Sequence, residues 1–285
     1  MPELPEVETM RRGILGIQGS RISAVERAPC RLKPILVRPR IDVLRRRVVG
    51  LRVLDVERIG KRVMLRLESG DGIVFEPRMT GLVLVADPPD EEHLRFRLAL
   101  ADGPIRQLWY WDRRGLGSVQ LLSPLQLAEL FSSGRIGPDA LALSAEELRD
   151  RFSTSRREIK VALLDQRAIA GIGNLYASEI LHVAAVHPGK LCHRITRQEW
   201  QTIHAAMIAV LNDAIRYEGS TLGDGTYRNA LNRPGEYQKH HRVYDRAHQR
   251  CLTCCTAEVK RIVQGQRSTF YCPRCQPGRR SSRHK

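Results

Sequence analysis

The chain has 285 residues, enough for two domains of ordinary size with separate cores, and its 42% hydrophobic content fits a globular protein. Its net charge of +16 exceeds what solubility requires and points to a polyanionic partner. No apolar run approaches transmembrane length, and the N-terminus lacks the basic and apolar regions of a signal peptide, so a cytoplasmic location without membrane association is expected. Residues 1 to 130 carry 22 Lys+Arg against 17 Asp+Glu, and residues 131 to 285 carry 25 against 14, which places most of the excess in the second part.

The chain opens Met1-Pro2-Glu3-Leu4-Pro5-Glu6-Val7-Glu8, a run with two readings. If the initiator methionine is removed, Pro2 presents a secondary amine. An α-amino group titrates near ~8 against ~10.4 for lysine, so it is the better nucleophile at neutral pH and can form an iminium with an aldehyde-like sugar carbon. Glu3 would then move protons beside it. The same residues also describe a well-started helix, with Pro presetting φ and carboxylates complementing the macrodipole, and a helix is expected at roughly residues 5 to 16.

The next hundred residues read as strands. Val63, Leu65 and Leu67 alternate with Arg62, Met64, Arg66 and Glu68, and Leu94, Phe96, Leu98 and Leu100 alternate with Arg95, Arg97 and Ala99. The expected fold is α+β, with an N-terminal two-layer antiparallel β-sandwich and a helix packed on it.

Ser123-Pro124 opens a helical regime that runs to about residue 217. Gly171-Ile172-Gly173-Asn174 separates helical patterns at 157–169 and 175–186; it fits either a plain αα-hairpin or a turn whose following helix N-terminus grips an anion. Thr196 and Glu199 form a capping box, after which Trp200, Ile203, Ala206, Met207, Val210, Leu211 and Ile215 recur at helical spacing as a core stripe. Residues 219–237 read as a mobile loop.

Five of seven cysteines fall between Cys251 and Cys275, leaving Cys30 and Cys192 as ordinary thiols. Cys251-x-x-Cys254 and Cys272-x-x-Cys275 are separated by 17 residues, which suits one structural, tetrahedral Zn2+ joining the ends of a β-hairpin. Cys255 is the alternative to Cys254; the two-residue spacer favours Cys254. Arg267, in the hairpin, is either a phosphate contact or a solvated side chain. The boundaries expected are 1–122 for the β-rich domain, 123–235 for the helical domain, 236–276 for the zinc ribbon and 277–285 for a basic disordered tail.

Taken together, the residues resemble one family, the bacterial formamidopyrimidine-DNA glycosylases of the Fpg/Nei superfamily. The resemblance spans the chain and rests on the PELPEVE run, Lys61, Met79-Thr80-Gly81, Gly137-Pro138-Asp139, Ile159-Lys160, Leu164-Asp165-Gln166, GIGNLYASE at 171–179, Val243-Tyr244 and the cysteine hairpin. It implies a helix-two-turn-helix domain followed by a zinc ribbon, and a base-excision enzyme that flips a damaged nucleotide, cleaves the glycosidic bond and nicks the abasic site by β- and δ-elimination. The partner implied is double-stranded DNA with a damaged base or abasic site, bound by a monomer in a basic cleft between the domains and associated with the nucleoid when bound.

By the same resemblance, Pro2 forms the Schiff base, Glu3 donates the proton with Glu6 in support, Lys61 serves β-elimination and Arg267 δ-elimination. His93, Arg156, Lys160 and Asn174 match positions that hold the DNA backbone, Met79 fills the void left by the flipped nucleotide, and Arg114, Leu116 and Tyr244 complete the DNA-contacting set. Two departures stand out. Where the family usually reads Asp-Pro-Arg-Arg-Phe-Gly, this chain has Asp112-Arg113-Arg114-Gly115-Leu116-Gly117, losing the arginine that inspects the opposite base and the aromatic wedge; Glu76 stands where a histidine is usual. Leu4 favours the oxidised-purine branch over the endonuclease VIII type, which tends to begin PEGPE. The rival of another class is a zinc-ribbon DNA-binding protein without catalysis.

Overall fold

The computed structural model describes residues 2–278, so the end of the basic tail, from residue 279, lies outside the described residues, as does Met1. Two compact units are formed. Unit 1 is the chain up to Arg135 together with Ala214–Gln238; unit 2 is Ile136–Asp213 together with the chain from Lys239.

Unit 1 opens with α1 (Leu4–Gly13): Pro5 in its first turn presets φ, and Glu6 in the first turn and Arg11 and Arg12 in the last stand where the helix dipole favours their charges. Then follow β1 (Arg21–Arg27), β2 (Leu36–Arg38), α2 (Ile41–Val48), β3 (Val53–Ile59), β4 (Arg62–Leu67), β5 (Gly72–Glu76), β6 (Gly81–Leu84), β7 (Leu94–Ala101), β8 (Gln107–Asp112), β9 (Ser118–Leu122) and α3 (Pro124–Ser132). One sheet has the order β1-β7-β8-β6 and the other β2-β9-β5-β4-β3. All pairings are antiparallel except β2 on β9, which is parallel. Inward-facing residues of both sheets, among them Val25, Phe96, Leu98, Val63, Leu65 and Phe75, share one buried core with Val7, Met10 and Ile14 of α1. Fully burying such side chains contributes roughly 1.5–3 kcal/mol each.

The strict alternation expected of the strands fails at two places for identifiable reasons. Met64 is fully buried, beside Gly72 and Leu127, because α3 covers that face of the sheet. Arg95 is buried because its Nε donates to the Asp112 carbonyl at 2.8 Å. The stretch 219–237, expected as a mobile loop, is instead fastened into unit 1: Tyr227 and Ala230 join the core, Thr221 Oγ1 donates to the Tyr227 carbonyl at 2.8 Å, and Tyr237 N–H donates to the Gly219 carbonyl at 2.9 Å.

Unit 2 contains α4 (Ala145–Phe152), α5 (Ile159–Leu163), α6 (Asn174–Val183), α7 (Arg197–Arg216), whose last turn belongs to unit 1, and the hairpin β10 (Lys260–Gln264) and β11 (Arg267–Tyr271). The pattern at 157–169 yields only the short α5. Asp165 ends it by accepting the Arg167 N–H on its carboxylate at 3.1 Å, an Asx-turn that competes with the helix. In α7 the Thr196–Glu199 capping box forms and the whole apolar stripe is buried.

Candidate active site and nucleic-acid interface

Glu3 sits just ahead of α1, 3% exposed and extended. Glu6, one turn on, uses both carboxylate oxygens: Oε2 accepts the Glu3 N–H at 2.8 Å and Oε1 accepts the Ser220 N–H at 2.8 Å. It therefore braces the N-terminus against the fastened 219–237 stretch. Further along α1, burial opposes ionisation of Glu8, but hydrogen bonds from Arg11 and Arg12 and the charges of Arg11 and Arg58 prevail and hold its carboxyl at about 2. Glu8 meets Arg58 while Arg11 Nη1 donates to the Val56 carbonyl at 3.1 Å. The helix thus runs antiparallel to β3, and its N-terminus is directed toward the β3–β4 turn.

That turn is Gly60-Lys61, closed by the Ile59–Arg62 pair. Gly60 has φ +56°, as a two-residue hairpin with glycine at its first central position demands, and Lys61 occupies the tip. At the same end β5 finishes at Glu76, and the chain turns through Pro77-Arg78-Met79-Thr80 into β6, leaving Met79 37% exposed. Arg78 adopts φ +49°, a left-handed conformation costing about 1–3 kcal/mol for a residue with a side chain. Glu76 Oε1 pairs with Arg62 at 3.1 Å and with Arg78 at 3.4 Å.

Asp112, fully buried at the end of β8, locks this loop to the next. Its Oδ1 accepts from the Thr80 hydroxyl at 2.5 Å and from the Arg114 N–H at 3.2 Å, and its Oδ2 accepts from the Gly117 N–H at 2.8 Å. The His93 carbonyl accepts the Asp112 N–H at 2.9 Å, while the His93 ring pairs with Asp90 at 2.8 Å. Within 112–117, Arg113 and Arg114 are exposed and Leu116 is half-buried. Gly115 has φ +59°, and a Cβ there would lie 2.3 Å from the Lys33 carbonyl. No side chain fits at 115 on this backbone. The structure therefore gathers Glu3, Glu6, Lys61, Met79, His93, Arg114 and Leu116 toward one end of unit 1.

In unit 2, the turn before α6 carries a buried polar chain. Lys160, fully buried, donates from Nζ to Asn174 Oδ1 at 2.6 Å, and Asn174 Nδ2 donates to the Ser268 carbonyl of β11 at 2.9 Å. The first residue of α6 is thereby tied to the strand that begins with Arg267, which is exposed beside the two-residue turn Gly265-Gln266. Arg156 is exposed on the segment before α5. Tyr244 packs edge-on to Phe270 at 5.2 Å, so its ring serves the small core of the hairpin.

The thiols of Cys251, Cys254, Cys272 and Cys275 lie within 4.8 Å of one another. Cys251–Cys275 and Cys254–Cys272 Sγ separations are 3.8 and 3.7 Å. A tetrahedral metal with bonds of about 2.3 Å to sulfur requires S···S edges of roughly 3.8 Å, so these donors fit such an ion. Cys255 is exposed and turned to the Leu252 carbonyl, outside the cluster. Cys192 is buried, which pushes its thiol up to about 11 and leaves it inert.

Sequence reasoning overlooked the residues that fix this hairpin. Glu179, fully buried in α6, accepts the N–H groups of Arg242, Val243 and Tyr244 at 2.8–2.9 Å. His182, one turn on, bonds Thr253 at 2.9 Å and Gln276 at 3.2 Å. The available signal was a carboxylate and an imidazole on a helix whose other residues after Asn174 are apolar apart from Tyr176 and Ser178.

A sandwich carrying loops on a braced N-terminus, a helix–turn–helix tied to a hairpin, and a closed four-cysteine cluster together define a helix-two-turn-helix, zinc-finger architecture. Residues 1–119 match the family model described as the formamidopyrimidine-DNA glycosylase N-terminal domain, residues 136–225 its H2TH domain, and residues 249–278 the zinc finger found in FPG and IleRS. The formamidopyrimidine-DNA glycosylase of Chloroflexus aggregans is 41% identical over 97% of this chain and 98% of its own length, and that of Bacillus subtilis is 34% identical over 97% and 99%. Solved structures of Lactococcus lactis Fpg with DNA, a point mutant with Fapy-dG-containing DNA and a complex with abasic-site DNA, superpose with TM-scores of 0.85 and 0.84 at 31% and 30% identity, covering 97% of this chain and 100% of each. The chain belongs to the formamidopyrimidine-DNA glycosylase family.

Proposed function

We propose that this protein is a DNA-repair glycosylase with an accompanying abasic-site lyase activity, acting on oxidised purines such as 8-oxoguanine and formamidopyrimidines in double-stranded DNA. The observation that carries the reading is the brace on Glu6: a buried carboxylate spends both oxygens holding the backbone at Glu3 and Ser220, which fixes the residue next to Pro2 at the end of unit 1 where Lys61 and Met79 lie. Family membership supports it, since the relatives are named glycosylases and the similar structures hold damaged DNA.

In this scheme Met1 is removed and the Pro2 nitrogen lone pair bonds C1′ of the damaged nucleotide. The C1′–N bond to the base breaks, the base leaves with a proton, and opening of the sugar ring gives an iminium. Glu3, desolvated beside it, moves those protons. Lys61 takes part in β-elimination, in which the C2′ proton and the 3′-phosphate leave; Arg267 serves δ-elimination of the 5′-phosphate. Met79 and Leu116 supply apolar wedges, and His93, Arg114, Arg156, Lys160 and Asn174 hold or pre-position the backbone, the last two through the chain to Ser268. One Zn2+ on Cys251, Cys254, Cys272 and Cys275 is structural: with four protein ligands it leaves no position for water.

Borohydride reduction on duplex DNA carrying 8-oxoguanine should trap the protein covalently, with the adduct on Pro2 by peptide mapping. An adduct on an internal lysine would refute the proline assignment. Glu3→Gln should retain duplex binding and lose base excision by about 10²-fold or more, as removal of a general acid does.

A further inference from the structure

Arg78 is a charged side chain held on left-handed backbone, φ +49°, between Glu76 and the exposed Met79. A bulky residue stays in that region only when its surroundings hold it there. Its side chain remains 60% exposed, and its ion pair among the described residues is the outer half of a shared contact: Glu76 Oε1 meets Arg62 at 3.1 Å and Arg78 at 3.4 Å. Two guanidiniums on one carboxylate leave the cluster with a net positive charge. Arg78 can therefore leave Glu76 for a stronger anion without stranding the carboxylate, which keeps Arg62. The loop beneath is rigid, because Thr80 is bonded to Asp112, and Asp112 also holds the 113–117 loop.

We infer that Arg78 is a DNA-backbone clamp: when Met79 meets the duplex, the Arg78 guanidinium passes from Glu76 to a phosphate and holds the loop in place. It is a positioning residue, and the inference rests on the DNA-directed function proposed above. The strained backbone is what keeps the guanidinium next to the apolar tip.

The test is the affinity of the full-length protein for a duplex carrying a tetrahydrofuran abasic analogue, measured by fluorescence anisotropy between 50 and 200 mM salt. Each phosphate neutralised contributes about −0.9 to the slope of log K against log salt, so Arg78→Gly should reduce the magnitude of the slope by about 0.9 and weaken binding to lesion-bearing and undamaged duplexes alike. Arg78→Lys should recover most of the slope. Glycine accepts left-handed backbone without penalty, so the Tm of Arg78→Gly should equal or exceed that of the unmodified protein. An Arg78→Gly protein with unchanged slope and affinity overturns the clamp, as does one whose lost affinity comes with a lowered Tm and is not restored by lysine. If the unmodified protein binds neither duplex, the proposed function falls and the clamp with it; if it binds and excises normally while Arg78→Gly is indistinguishable, the clamp alone falls.

Discussion

In unit 1, the turns that carry Lys61, Met79 and Leu116 hang on a core that includes Phe75, Phe96, Leu98 and Tyr110, whereas the cysteine hairpin of unit 2 has little more than Val243, Val259 and Phe270 beneath it. The first region can place a loop by packing alone, with polar residues such as Asp112 adding direction. The second cannot bury enough apolar surface to offset the entropy of ordering its chain, and it relies on point attachments: four thiols, the Glu179 carboxylate under residues 242–244, and the Lys160–Asn174–Ser268 chain. Polar pins are directional and can be removed one at a time, whereas a packed core gives way cooperatively.

The largest effect should come from the thiols. Cys272→Ser, or chelation of the metal, should release about one zinc per chain and disorder β10–β11, because metal binding in such small modules supplies on the order of 10 kcal/mol of folding free energy. Hydrogen exchange should show fast exchange confined to the hairpin while β3–β5 remain protected. Cys255→Ser should keep its metal, as its thiol lies outside the cluster, and metal loss from that variant would reverse the ligand assignment.

A core truncation probes the other side of the comparison. Phe75→Ala should destabilise unit 1 by about 3–5 kcal/mol in denaturant unfolding, with zinc content unchanged. Loss of metal in that variant would show that the two regions are not independently held. Glu179→Ala removes the acceptor shared by three backbone N–H groups, that of Val243 buried and those of Arg242 and Tyr244 partly so, and should cost of the order of 3 kcal/mol, seen as faster amide exchange at residues 242–244. If those amides stay protected, the hairpin is held by zinc alone.

The smallest effect concerns pH. Glu8 has its carboxyl lowered from 4.5 to about 2 in the folded protein, so the stability it contributes is complete above about 4.5 and is lost as pH falls toward about 2. Urea midpoints recorded between pH 6 and pH 2.5 should fall less steeply for Glu8→Gln than for the unmodified protein. Equal acid sensitivity would mean that the Glu8–Arg11–Arg12–Arg58 cluster is not what fails in acid.

The sequence by itself determined most of what has a local signal in the chain, the early end of α5 at the Asp165 turn excepted. Apolar periodicity and a capping box defined α7, the paired Cys-x-x-Cys spacing picked out the four thiols that cluster, Cys254 among them and Cys255 not, and the PELPEVE run marked the start of α1. It failed where a residue's fate depends on a neighbour remote in sequence. Alternation places Met64 outward because it knows nothing of α3, and 219–237 looks mobile in the sequence because no local pattern announces that Ser220 N–H meets Glu6. Glu179 and Asp112 pass unnoticed as anchors, since a carboxylate is recognised as a clamp only once folding has brought its donors to it: three N–H groups for Glu179, two N–H groups and the Thr80 hydroxyl for Asp112. Gly115 shows the difference most plainly. In the sequence it is a missing arginine. In the fold it is a left-handed residue pressed against the Lys33 carbonyl, where no side chain could be placed. Its identity follows from the close approach of two backbone segments, and such an approach exists only in the tertiary structure.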